Sequence, residues 1–103
     1  LAEFKRVAGV NEIPSGKGIV ADVGGKEIAV FNVEGAFYAI DNICTHRGGP
    51  LGEGVLRDAM VNCPWHGSGF DVTSGKVLAP PASTGVASYP TKVEAGGVWV
   101  ALA

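Results

Sequence analysis

Two cysteines and two histidines are all that this chain of 103 residues possesses, and all four fall within 23 residues. They stand as Cys44-Thr45-His46 and Cys63-Pro64-Trp65-His66, with 16 residues between His46 and Cys63. Chance rarely groups so few residues so closely. A disulfide between Cys44 and Cys63 would account for the thiols but for neither histidine. A four-ligand metal site of two thiolates and two imidazoles accounts for all of them. Two loops from neighbouring hairpins can meet at their tips to supply such a site.

The rest of the sequence is that of a turn-rich β protein. Sixteen glycines and six prolines suit short strands better than a helical bundle, and no stretch sustains a helical period for three turns. Strands are predicted at Phe4 to Ala8, Ile19 to Val23, Glu27 to Val33, Ala36 to Ile40, Met60 to Asn62, Phe70 to Val72, Lys76 to Leu78, Ala87 to Tyr89, Lys92 to Glu94 and Val98 to Leu102. Gly24-Gly25, Glu34-Gly35, Ser74-Gly75 and Gly96-Gly97 read as the turns between them. The expectation is an all-β sandwich or small barrel in one domain, 1–103, of which the 47% hydrophobic content can build the core. Both cysteines then open loops, about 44–54 and 63–70. Gly48, Gly49, Gly52, Gly54, Gly67 and Gly69 let those loops approach a bound group closely. Phe31, Tyr38 and Trp99 read as core. A formal net charge of −2 without basic runs argues against nucleic acid. The longest apolar run, Val98 to Ala103, is far short of the roughly 18 residues of a membrane span.

The segments CTHRGGPL (44–51) and CPWHGSGFD (63–71) resemble the Rieske iron–sulfur proteins. The Ser74-Gly75-Lys76 turn and Pro80-Pro81 are similar to later features of that family. The resemblance covers nearly the whole chain. It implies an all-β framework with an inserted cluster-binding subdomain, and one [2Fe–2S] cluster. One iron would be held by Cys44 and Cys63, the other by His46 and His66. Two ferric ions, two sulfides and two thiolates sum to zero charge. Neutral imidazoles in place of two further thiolates make an added electron easier to accept. The class therefore spans roughly −150 to +300 mV, against about −400 mV for plant-type ferredoxins. The extra electron would reside on the histidine-bound iron and leave through the imidazoles.

The departures from the family's pattern narrow the expectation. Quinol-oxidising Rieske proteins carry a further disulfide, at the positions of Gly49 and Trp65 here, and a tyrosine where this chain has Phe70. Both are missing, and no membrane anchor is read. Ser68 matches the family's serine that donates toward a bridging sulfide. Trp65 is expected to shield the cluster from water, and Pro80 and Pro81 either to form a stiff loop able to cover it or simply to stop a strand after Ala79. Arg47 reads as a solvated loop cation or a docking charge beside the electron exit. The expected protein is a soluble, cytoplasmic, monomeric ferredoxin and not itself an enzyme. It would take an electron from a flavoprotein reductase and pass it to a terminal oxygenase. The small subunit of an assimilatory nitrite reductase is a second reading. A structural zinc module for protein interaction is a third, which the Cys-x-His spacing disfavours.

Overall fold

The computed structural model describes residues 3–102 as three antiparallel sheets. β1 (Phe4–Gly9), β10 (Thr91–Glu94) and β11 (Gly97–Ala101) form a terminal sheet ordered β1-β11-β10. β2 (Gly18–Val23), β3 (Lys26–Val33), β4 (Ala36–Asp41) and β9 (Ser88–Tyr89) form a central sheet in the order β2-β3-β4-β9. β5 (Val55–Arg57), β6 (Met60–Asn62), β7 (Gly69–Asp71) and β8 (Val77–Ala79) form a meander inserted between β4 and β9. Single 3-10 turns cover Val10–Glu12 and Leu51–Glu53. No helix among the described residues is long and apolar enough to cross a membrane.

The central sheet carries core on both faces. Ile28, Val30 and Ala39 pack with Ala8, Val98 and Val100 of the terminal sheet. Ala29, Phe31 and Ile40, pointing the other way, pack with Leu51, Val61, Phe70, Cys44 and Cys63 of the inserted region. Alternate side chains of one strand thus serve two cores. That is why Ile28 to Asn32 is an unbroken buried run rather than an alternation. Phe31 is fully buried, and its removal to alanine would cost about 3–5 kcal/mol.

Two of the hairpins turn through paired left-handed residues, Gly24-Gly25 (φ 61° and 86°) and Glu34-Gly35 (φ 51° and 92°). Such turns match the twist of the flanking strands. The third does the same at Ala95-Gly96, so Gly97 belongs to β11 and not to the turn. Trp99 differs from expectation. It lies on β11 between the buried Val98 and Val100, so strand alternation sends it to the outer face. There its indole N–H donates to the Glu94 carbonyl at 3.1 Å and Lys92 lies over its ring. β5 was not anticipated: Val55–Arg57 is short and joins β6 through Asp58, itself left-handed at φ 54°.

Candidate metal centre

Both ligand loops are closed by the same hydrogen bonds. In the first, Cys44 N–H donates to the Gly49 carbonyl (2.9 Å) and Gly48 N–H to the Cys44 carbonyl (2.8 Å). In the second, Cys63 N–H donates to the Ser68 carbonyl (2.8 Å) and Gly67 N–H to the Cys63 carbonyl (3.0 Å). The glycine four residues after each cysteine is left-handed, φ 79° at Gly48 and 81° at Gly67. A side chain there would be strained, which explains one glycine in each motif. Asn42 fixes the root of the first loop. Its carbonyl oxygens accept from Leu51 N–H (main chain, 2.7 Å) and Gly52 N–H (side chain, 2.8 Å). Asn62 does the same for the second, its amide donating to the Gly67 carbonyl at 3.0 Å.

The loops bring the four sequence-predicted residues to one end of the molecule. Cys44 and Cys63 are buried free thiols that belong to the same core cluster. The His46 and His66 rings lie outside them, centroids 5.0 Å apart and nearly perpendicular at 89°. His66 is exposed and His46 half-buried. Burial, then the neighbouring His66 and Arg47 charges, hold the His46 imidazole below its ordinary pKa. It is therefore neutral near pH 7, the form that binds metal. Burial pushes the Cys63 thiol up, although the N–H groups of Trp65 and His66 hydrogen-bond its sulfur and act in the opposite sense. Those two donors would support a thiolate once a metal displaced the proton.

The donor set fits a binuclear iron–sulfur group. The His46 Nδ1 is buried with no hydrogen-bond partner, which is costly for a polar atom unless something else binds it. Two sulfur donors and two imidazole donors are also the set that divides between the two irons of such a group.

The surrounding residues divide. Ser68 is fully buried and its hydroxyl oxygen accepts from Ala82 N–H at 2.9 Å. Its own proton is not used in that bond. Phe70 is fully buried in the core that contains both cysteines. Trp65 is 55% exposed, so it is a weaker water shield than expected. Its ring lies over Gly49, where a Cβ would come within 3.1 Å of it. The two positions at which the quinol-oxidising proteins carry their disulfide are thus packed together here. Pro80 and Pro81 are both exposed, and the buried residue of that segment is Ala82. Arg47 is exposed beside His46. The links Ala82 to Ser68 and Thr45 to Thr84 were not foreseen, since nothing in the sequence marks contacts 14 and 39 residues apart.

Known proteins resemble this chain over most of its length. The family model described as "Rieske [2Fe-2S] domain" matches residues 3–90. The ferredoxin component of the naphthalene 1,2-dioxygenase/salicylate 5-hydroxylase systems of Ralstonia sp is 41% identical over 85 residues, 82% of each chain. The ferredoxin of carbazole 1,9a-dioxygenase from Nocardioides aromaticivorans IC177 superimposes with a TM-score of 0.92 at 32% identity, covering 95% of this chain and 96% of that one. A complex of reduced oxygenase and oxidised ferredoxin in carbazole 1,9a-dioxygenase contains a similar chain (TM-score 0.89, 30% identity, 95% and 92% covered). A nitrite reductase small subunit from Mycobacterium tuberculosis shares the fold (TM-score 0.91, 22% identity, 100% and 97% covered).

Proposed function

This chain belongs to the Rieske [2Fe–2S] domain family, and on that premise we propose that it is a soluble one-electron carrier for the terminal oxygenase of a ring-hydroxylating dioxygenase system. One [2Fe–2S] cluster would be held by Cys44 and Cys63 on one iron and by His46 and His66 on the other. When bound, the cluster supplies a reversible one-electron couple. The protein is then a component of an oxidoreductase system, and the hydroxylation belongs to its partner. A flavoprotein reductase is the donor this reading calls for, and residues 1–103 act as one domain.

The observation that carries the reading is the polarity of the ligand set: both thiols are buried, while His66 is exposed and His46 half-buried. Cys44 and Cys63 anchor the group in the core, while His46 and His66 present its outer side to a partner. Two of the large apolar side chains exposed on the molecule, Ile43 and Trp65, come from the two ligand segments themselves. No Asp or Glu occurs in residues 42–52 or 59–70, and Arg47 is their one cation. An apolar partner face with a carboxylate opposite Arg47 suits such a surface. The carrier role over the nitrite reductase reading is supported by a relative at 41% identity named as a ferredoxin component of dioxygenase systems, against a likeness of fold at 22%.

Anaerobic stopped-flow mixing tests the proposal. The chemically reduced protein is mixed with an oxidised ring-hydroxylating oxygenase, or with an oxidised nitrite reductase large subunit. Rapid reoxidation by the oxygenase alone is expected; reoxidation by the nitrite reductase subunit alone would overturn it.

A further inference from the structure

The two ligand loops belong to different hairpins, and among the described residues no backbone hydrogen bond joins 44–49 to 63–68. The segment 80–87 bridges them. From the second loop, the buried Ser68 hydroxyl accepts from Ala82 N–H at 2.9 Å. From the first, the Thr45 hydroxyl donates to the Thr84 carbonyl at 2.6 Å, across 39 residues of sequence. The far end of the segment is fixed to the framework. Val86 N–H donates to the Gly75 carbonyl (2.8 Å), Ala87 N–H to Asp41 Oδ2 (3.3 Å), and Asp41 N–H returns to the Ala87 carbonyl (3.0 Å). The segment is therefore a strap, tied down at its root and laid over both loops.

Thr45 has a special place in this arrangement. It is the single residue between Cys44 and His46, so its backbone torsions aim a sulfur on one side and an imidazole on the other. Its side chain is taken up by the strap. We infer that Thr45 is a positioning residue: its hydroxyl clamps the strap onto the first ligand loop, and the clamp sets both the His46 side of the centre and the access of water to it. The inference rests on the ligand assignment proposed above. Reduction adds negative charge to the centre, and water stabilises that charge better than packed protein does. A loosened strap should therefore raise the reduction potential. The hydrogen bond lies at the surface, where water competes for both partners, so its net strength is that of one ordinary bond.

The test compares the cluster-loaded wild type with Thr45→Val, which keeps the shape and loses the hydroxyl, and Thr45→Ser, which keeps the hydroxyl. Iron and sulfide content of the wild type is measured first. Fewer than two of each would mean that the ligand assignment has failed, separately from the strap. In Thr45→Val the amides of Ala82, Val86 and Ala87 should exchange faster, by about 2–10-fold, the scale of one net hydrogen bond. Its potential should move upward. Thr45→Ser should match the wild type in both. Cluster loss in the valine variant with retention in the serine variant also supports the proposal, because it too depends on the hydroxyl. An unchanged potential overturns it, whether or not exchange quickens. So does a shifted potential without faster exchange, or a serine variant that behaves like the valine one.

Discussion

A Cβ on Gly49 would stand 2.5 Å from the Cys63 sulfur and 3.1 Å from the Trp65 ring. The first ligand loop therefore depends on a missing side chain for its approach to the second. Gly49 is not left-handed, so its constraint is space and not backbone torsion. Gly49→Ala should push the loops apart and lower cluster occupancy, while the framework sheets stay folded. Iron per chain, with circular dichroism as the control, checks this. Full occupancy in the alanine variant would mean that Cys63 has room to move aside.

Phe70→Tyr should raise the reduction potential. The ring is fully buried in the core that includes both cysteines, and a new hydroxyl there can donate to a thiolate. A bond to a charged acceptor is worth about 1.5–3 kcal/mol, of which only the difference between redox states reaches the potential. Tens of millivolts upward is the expected scale, since about 59 mV is tenfold for one electron. Voltammetry would show no rise if the ring's far end faces away from sulfur.

Alkaline stability should depend on Tyr89. Burial, then the hydrogen bond that its hydroxyl donates to Asp41 at 2.6 Å, raises the phenol above its ordinary pKa; Lys26 pulls the other way. A raised native value means that the unfolded chain loses its proton first. The contribution is therefore complete below about pH 10 and is lost as pH rises through the native value. Tyr89→Phe should cost about 0.5–1.5 kcal/mol at neutral pH and flatten the decline above about pH 10. Thermal midpoints of both proteins across that range decide it, and parallel curves would exclude the assigned role.

Cys63→Ser and His66→Ala should each prevent stable cluster assembly, because each removes one of only two protein ligands from an iron. The central and terminal sheets should remain folded, since their shared core contains neither residue. The ligand loops should become mobile, because bound metal contributes to their order. Two irons and an unchanged visible spectrum in Cys63→Ser would contradict the assignment.

The two loops that carry the candidate ligands and most of the strands were legible because each is announced locally. Four rare residues mark the loops, and paired turn residues mark the hairpins. What escaped has a common cause. β5 is three residues long and is defined by its pairing with β6, not by its own pattern. Trp99 looked like core because a large aromatic between valines gives no sign of which face is covered. The strap across the two ligand loops is held by long-range hydrogen bonds of ordinary residues. Thr45, Ser68 and Ala82 acquire their roles only when the fold brings them together.

The central claim is that two thiolates and two imidazoles hold one [2Fe–2S] cluster. Since His46 and His66 are the only histidines in the chain, any imidazole nitrogen coupled to the metal must belong to them. Pulsed electron paramagnetic resonance of the one-electron-reduced protein, prepared with nitrogen-15 histidine, reads this directly. The account predicts couplings from two distinct imidazole nitrogens, reduced to none or one in His66→Ala. A reduced protein whose metal signal shows no histidine coupling, or one that holds zinc and gives no signal, would contradict it.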